Sequence, residues 1–415
     1  MLGDQPGASG GPPPNAPHVL FVVNADWYFA SHRLELASYL LDAGWRVSVA
    51  TQDTGVAGAL AAAGCAVYRL GWRRRGLAPA DDVRVLWQLR ALVRRLRPDL
   101  VHPVALKAIV VGGLAVPARG GPPAVHAVAG LGYAFTGGGA HRRALRAAVR
   151  AGLRRVLRRP RTRVIVQNPD DGALLVAEGV ARAEDVVLIP GAGVDVTRFP
   201  PAPPPADGPP LVVLPARMLW DKGVAEFVEA ATRLRAAAVP VRLALVGGFD
   251  PENSAAVPRA QLEAWRATGP VEWWGHRPDM PAVLRHAAVV ALPSYREGLP
   301  KALLEGAAAG RPLIATDVPG CRDVVRHDCE GLLIPPRDPG ALADAIARLA
   351  GDPALRVRLG AGARARAERE FAAPLIHAAT LDVYRALLGP AWAEGCGMRP
   401  GSPAPGRPTR AVAPG

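Results

Sequence analysis

The sequence predicts an α/β protein of two doubly wound, Rossmann-like domains, each built on a parallel sheet. Short apolar runs alternate with amphipathic helical stretches from His18 to Val128 and again from Leu211 to Ile334, as strands and helices do in βαβ units. Between the two series, Pro200 to Pro210 is proline-rich and reads as a semi-rigid linker. The third observation is local. Val289-Val290-Ala291-Leu292-Pro293 is a continuous apolar run, as expected of a buried parallel strand, and it leads through Tyr295 to Pro300 into a helix. Leu303, Leu304, Ala307 and Ala308 give that helix one apolar face, Pro300 suits its first turn, and Gly310 and Pro312 end it.

Taken in order, residues 1–16 are rich in Gly and Pro, lack the apolar core of a secretory signal, and are expected to be disordered. A first domain is expected over 17–199. His18 to Asn24 is a strand that breaks at Asn24-Ala25-Asp26 into a loop running to Ser31. Arg33 to Asp42 is a helix capped by Ser31 and closed by Gly44, and Arg46 to Ala50 is the second strand. A helix near Val56 to Ala63, a strand at Ala66 to Leu70, a helix near Ala80 to Leu96, a strand at Asp99 to His102, a helix from Lys107 and a strand at Ala124 to Val128 continue the pattern. His32 and Arg33 belong to the first loop, on the side of such a sheet where ligands bind. Gly130 to Gly139 is glycine-rich, but Phe135 breaks the G-x-G-x-x-G fingerprint, so a nicotinamide cofactor is not indicated.

His141 to Arg163 holds ten arginines interleaved with Leu145, Val149, Leu153, Val156 and Leu157, a single apolar stripe on a basic helix. Three uses fit this pattern: a solvated face, nucleic-acid binding, or adsorption to anionic headgroups with the stripe either inserting or packing on the domain. The stretch lacks aromatics for base stacking, which weighs against nucleic acid. Strands follow at Arg163 to Gln167 and Val186 to Ile189.

The second domain, expected over 211–371, opens with the strand Leu211 to Leu214 and the loop Pro215 to Gly223, which carries Arg217 and Lys222. Val241 to Val246 is a strand ending in Gly247-Gly248-Phe249-Asp250, and Trp273-Trp274-Gly275-His276 is strand and turn. After the central strand and helix, Pro312 to Thr316 and Gly331 to Ile334 are strands, with helices near Pro339 to Leu349 and Pro353 to Phe371. Residues 372–388 read as a last helix and 389–415 as a disordered tail.

The formal charge of +14 is carried almost wholly by arginine, since the only lysines are Lys107, Lys222 and Lys301. Nucleic acid, anionic membranes and phosphorylated substrates are its candidate partners. Cys65, Cys321, Cys329 and Cys396 form no C-x-x-C pair, which argues against a zinc site or a disulfide framework and fits a reducing cytoplasm. No apolar run approaches the ~20 residues of a membrane span.

The chemistry points to the central strand and helix. A helix start at the carboxyl end of a parallel strand presents backbone N–H groups and the positive end of the helix dipole, a place for phosphate. Glu297 and Glu305 flank it, roughly 12 Å apart if the spacing is helical throughout. A diphosphate at the helix start leaves one carboxylate for the hydroxyls on each side.

Pro293-Ser294-Tyr295-Arg296-Glu297-Gly298-Leu299-Pro300 with Leu304-Glu305 resembles the E-x7-E phrase of the retaining glycosyltransferases of family 4, which have the GT-B fold. Val23-Asn24 with Ser31-His32-Arg33-Leu34, and Gly193-Val194-Asp195 with Arg198-Phe199, are similar to that family's first loop and to the end of its first domain. The resemblance covers roughly Val19 to Leu388. It implies two domains facing across a cleft, with a nucleotide-sugar donor, UDP-linked, held mainly by the second and no metal or other cofactor required. Glu297 then holds the sugar hydroxyls and Glu305 the ribose. Arg217 and Lys222 grip the diphosphate, and Gly298, Leu299 and Pro300 line the donor site. Retention by front-face displacement, also implied, uses the leaving phosphate to accept the acceptor's proton.

The segment from Arg217 to Asp250 and the loop at Gly130-Leu131-Gly132 are similar to transferases that add an N-acetylhexosamine to polyprenyl-diphosphate-linked sugars. On this resemblance His32, Lys107, Gly130 and Gly132 lie on the acceptor side, the acceptor is a lipid-linked saccharide, and Arg142 to Arg163 meets an anionic membrane. The protein is then peripheral on the cytoplasmic face of the cell membrane. A histidine of the family is absent, with Ala129 in its place, so no catalytic base is assigned. A family 4 enzyme with a soluble acceptor, a GT-B nucleotide-sugar 2-epimerase, and a nucleic-acid binder using the basic helix are the alternatives.

Overall fold

The computed structural model describes residues 16–72, 79–131, 140–203 and 208–389. The expected disordered ends, apart from residues 16 and 389, lie outside the described residues, as does the glycine loop from Gly132 to Gly139.

The chain forms two units, the first comprising residues up to Ala192 together with those from Leu375 on, the second Gly193–Pro374. The first unit contains β1 (His18–Val22), α1 (Asp26–His32), α2 (Leu34–Asp42), β2 (Arg46–Thr51), α3 (Ala57–Ala62), β3 (Ala66–Arg69), α4 (Pro79–Leu96), β4 (Leu100–Pro103), α5 (Leu106–Ala115), β5 (Ala124–Val128), α6 (Ala140–Leu157), β6 (Thr162–Val166), α7 (Pro169–Ala177) and β7 (Val186–Leu188). Its sheet has the order β3-β2-β1-β4-β5-β6-β7, and every pairing is parallel. The second unit contains β8 (Leu211–Pro215), α8 (Val224–Ala236), β9 (Arg242–Val246), α9 (Arg259–Thr268), β10 (Glu272–Gly275), α10 (Met280–His286), β11 (Val289–Leu292), α11 (Lys301–Ala308), β12 (Leu313–Thr316), α12 (Cys321–Val324), β13 (Gly331–Ile334), α13 (Pro339–Gly351) and α14 (Pro353–Arg366). Its order is β10-β9-β8-β11-β12-β13, again all parallel. Each sheet has a core on both faces, as doubly wound sheets require.

Three expectations are corrected. The loop from Asn24 to Ser31 is helix α1, with Ser31 inside it, and no side chain caps α2. Buried Asp26 fixes the start of α1 by accepting from the amides of Trp27, Thr54 and Val56 at 2.8–3.0 Å and from the Thr54 hydroxyl. Burial pushes its carboxyl up, but these bonds outweigh it and hold the group below its ordinary range. The basic helix stops at Leu157 and does not run on toward Arg163, which lies in β6 as expected and bonds to Asp185 at 3.0 Å. Finally, Pro300 is the cap before α11 rather than its first residue.

The chain passes from one unit to the other ahead of the proline-rich stretch, for a packing reason. Val194 and Phe199 are buried in the second unit's core, and Arg364 Nη1 donates to the carbonyls of Val196 and Phe199, each at 2.9 Å. Val194 and Ala372 form a parallel bridge, closed by Val194 N–H to Phe371 O and Ala373 N–H to Val194 O, both 2.9 Å. The last helix, α15 (Ala373–Leu388), returns Ile376, Leu381 and Tyr384 to the core of the first unit.

Candidate active site

In the second domain the strand order reverses between β8 and β11, and in open α/β sheets ligands bind outside the carboxyl ends at such a point. The loops that follow these two strands carry the central pair. Lys222 ends a 3-10 turn after β8, Glu297 lies in the loop after β11, and Lys222 Nζ meets Glu297 Oε1 at 2.5 Å with the side chains 19% and 12% exposed. Arg217, also after β8, donates through Nη1 to Oδ2 of buried Asp250 at 3.0 Å. Each cation expected on a diphosphate thus faces a carboxylate.

Backbone contacts lock these loops together. Tyr295 N–H donates to Asp221 O at 2.9 Å, Glu297 N–H to Pro319 O at 3.3 Å, and the Thr316 hydroxyl to Ser294 O. Gly223 has φ +72°, and a Cβ there would lie 2.2 Å from Pro293 O. Gly320, with φ +83°, would place a Cβ 2.7 Å from the carbonyls of both Glu297 and Gly298. Only glycine meets both demands. Gly320→Ala is therefore expected to cost the second domain about 2 kcal/mol or more. A urea midpoint unchanged from that of the original chain would contradict so tight a contact.

Helix α11 begins after Pro300, without a side-chain cap. Glu297 to Pro300 are not helical, so the expected separation of Glu297 and Glu305 by helical spacing does not apply; a residue before proline is steered away from helical backbone. Leu299 is buried, anchoring the loop. Glu305 lies on α11 with Lys301 Nζ 3.6 Å away. Cys321, fully buried at the start of α12, has its thiol pushed up by burial and further by the Glu297 charge, so it stays protonated and is no nucleophile.

Sequence reasoning gave Asp250 and Tyr295 no role. The Tyr295 hydroxyl donates to Glu226 Oε1 at 2.6 Å, and the Arg337 guanidinium lies 4.6 Å from the centre of its ring. Neither Glu226 nor Arg337 is close to Tyr295 in sequence, so only the fold reveals the cluster. Asp250 had one signal, its position two residues after the Gly247-Gly248 pair that ends a buried strand.

Two family models match this chain: "Glycosyl transferase 4-like" over residues 18–168 and "Glycosyl transferases group 1" over 209–352. Together they span more than two thirds of it. The chain is a glycosyltransferase, with a 4-like first domain and a group 1 second domain. Among relatives of this glycosyltransferase, the N,N'-diacetylbacillosaminyl-diphospho-undecaprenol alpha-1,3-N-acetylgalactosaminyltransferase of Campylobacter jejuni is 36% identical over 157 residues, 38% of this chain. The match spans only 40% of that relative's own length. The UDP-Gal:alpha-D-GlcNAc-diphosphoundecaprenol alpha-1,3-galactosyltransferase of Escherichia coli is 25% identical over 68% of this chain and 74% of its own. In fold, HepE of Anabaena in complex with UDP superimposes with a TM-score of 0.70 at 19% identity, covering 88% of this chain and 98% of that one. The two parallel-sheet domains are those of GT-B structures.

In this glycosyltransferase the first-domain residues expected on the acceptor side are placed separately. His32 ends α1, its ring stacked on Tyr28 with centroids 4.4 Å apart and Nδ1 3.3 Å from Tyr28 O. Its neighbour Arg33 is the one that turns inward, only 5% exposed, near His102, His377 and Tyr384. Lys107 Nζ, on α5, pairs with Asp82 Oδ1 of α4 at 2.8 Å. Gly130 follows β5 with φ +110°, and Gly132 lies outside the described residues. Among the described residues no group of acidic, cysteine or histidine side chains could hold a metal ion, and Cys65, Cys321 and Cys329 are free thiols.

Proposed function

We propose that this chain is a retaining hexosyltransferase that moves an N-acetylhexosamine from a UDP-sugar to a polyprenyl-diphosphate-linked saccharide. The observation that carries the reading is the Lys222–Glu297 pair at the switch point of the second sheet, with Arg217 in the same loop as Lys222. The donor diphosphate displaces two carboxylates as partner of these cations. Lys222 and Arg217 then offset the negative charge that grows on the departing nucleotide, a task that preorganised cations perform without a metal. Glu297, released from Lys222, accepts from the sugar hydroxyls, and Glu305 accepts from the ribose. The leaving phosphate takes the acceptor's proton on the same face of the sugar, so the reaction needs no protein base. The lipid-linked acceptor is supported by the names of the two relatives, both of which act on sugars carried by diphospho-undecaprenol.

Calorimetric titration with UDP, GDP and a panel of UDP-sugars tests the donor. UDP is expected to bind, and Glu305→Ala to weaken it about tenfold or more, the loss of a charge-assisted bond to the ribose. Absence of binding by UDP and every UDP-sugar would remove the donor assignment.

The membrane part of the reading rests on the first domain. Leu153, Val156 and Leu157 of α6 are buried, so the apolar stripe packs on the domain and leaves Arg154 and Arg155 exposed. On α4, Val83 and Trp87 are 53% and 59% exposed, Arg90 lies 5.3 Å from the Trp87 ring, and Arg94 is exposed. Interfacial tryptophan with arginine is what an anionic headgroup layer accommodates. Cosedimentation with phosphatidylglycerol vesicles is expected at low salt and to fall in Trp87→Ser. Equal pelleting of both proteins would remove α4 from the contact. Among the described residues no helix is long and apolar enough to cross a membrane.

A further inference from the structure

We infer that the first domain has an oxyanion site of its own, a cavity at the amino ends of β5 and β6 that takes a phosphate or a small phosphate ester. The cavity measures about 310 Å³, at the lower end of the ~300–1,000 Å³ of small-molecule sites. It is enclosed by the connections from α5 to β5 and from α6 to β6, at the end of the sheet opposite the carboxyl ends where the donor and acceptor chemistry is expected.

Its lining is chemically one-sided. Arg119, Arg159, Arg161 and His126 face it, and no lining residue is acidic. Arg159 is held across the end of α5, with Nη1 donating to Gly113 O at 2.6 Å and Val116 O at 2.9 Å, while its Nε is buried without a partner. Burial lowers its pKa, and the neighbouring charges of Arg155 and Arg90 lower it further, so positive charge accumulates here without compensation. His126 projects from β5 and is 1% exposed, and its Nδ1 is also buried without a partner. Burial, and then Arg159, push its pKa down to about 3, so the ring is neutral and meets a ligand as a single N–H donor.

A guanidinium and an imidazole, each with one buried nitrogen that lacks a partner, therefore line one cavity whose mouth carries two exposed arginines. An oxyanion with several acceptor oxygens suits a cavity whose charged lining is wholly basic, since guanidinium groups give it charge-assisted hydrogen bonds. Arg119 and Arg161 complete the neutralisation at the rim. The assignment is independent of the donor site, since all of these residues belong to the first unit.

The test is thermal denaturation of the full chain with inorganic phosphate or glycerol 3-phosphate, each titrated against chloride at fixed ionic strength. A saturable rise in Tm is expected. In the double variant Arg119→Ala, Arg161→Asn, half-saturation should move about tenfold or more to higher concentration. Asparagine is chosen because position 161 has φ +54°, which asparagine tolerates. Arg119→Lys should retain most of the effect, which separates lost charge from lost packing. Whichever of the two compounds saturates lower identifies the source of the phosphate group. No rise in the original chain would mean that water alone fills the cavity and would overturn the site. An equal rise in the double variant would overturn it too. So would a rise that Arg217→Ala abolishes, because the anion would then be bound in the second domain.

Discussion

Glu297→Gln is expected to lower the rate of sugar transfer by about 10²–10³-fold, the size of effect seen when one preorganised polar contact to a transition state is removed. Glutamine keeps the shape of the side chain but loses the charge that holds Lys222 and that, on the proposed reading, draws the hydroxyls of the donor sugar into place. UDP itself lacks that sugar, so its affinity should change little. The sign of any change should be favourable, because Lys222 no longer leaves a carboxylate to reach the diphosphate. Single-turnover transfer and UDP calorimetry on the same preparation separate the two effects. If transfer by the variant matched that of the original chain, Glu297 would be a structural partner of Lys222 and the reading of the site would fail.

Lys222→Ala should act on stability and on binding together. It leaves the Glu297 carboxylate unpaired on a side chain only 12% exposed, and removing one partner of a largely buried pair costs up to about 3–5 kcal/mol. For a domain of this size that corresponds to a fall in Tm of roughly 6–20 °C, at about 2–4 °C per kcal/mol. The penalty should shrink in Lys222→Ala, Glu297→Gln, because the stranded charge is then gone. Neither variant should bind UDP as tightly as the original chain. Lys222→Arg restores the charge but not the compact ammonium, and it should recover most of the stability and part of the binding. A double variant as unstable as the single one would show that packing around the lysine stem, rather than the ion pair, holds the loop.

The architecture was legible because the inner strands β1, β5, β8 and β11 are short and buried along their whole length, so their runs of residues do not depend on distant partners. Val289 to Pro293 and the loop after it could be read the same way, and Glu297 and Lys222 fall at the mouth of that strand and its neighbour. The start of α1 was not legible. Its stability comes from Thr54 and Val56, nearly thirty residues away, whose bonds to Asp26 no local pattern displays. The tight approach at Gly320 was hidden for a similar reason, since the carbonyls that forbid a side chain there belong to Glu297 and Gly298. The partners of the arginines between Arg142 and Arg163 were not legible either. Arg150 pairs with Glu178 and Arg158 bonds to Gly179 O, both beyond the helix, while Arg154 and Arg155 stay exposed.

The bridge between Val194 and Ala372 makes the second domain a cassette. Its chain enters and leaves at adjoining points, so Gly193–Pro374 is one uninterrupted insertion into a first domain whose own sequence is split in two. The second domain can accordingly be exchanged for another by a single continuous replacement, which on the proposed reading would carry a new donor specificity with it. The first cannot be obtained by simple truncation, because a fragment ending at Ala192 lacks Ile376, Leu381 and Tyr384 and exposes the core those side chains close. Rejoining residue 192 to residue 375 through a short linker is the topology that would restore it.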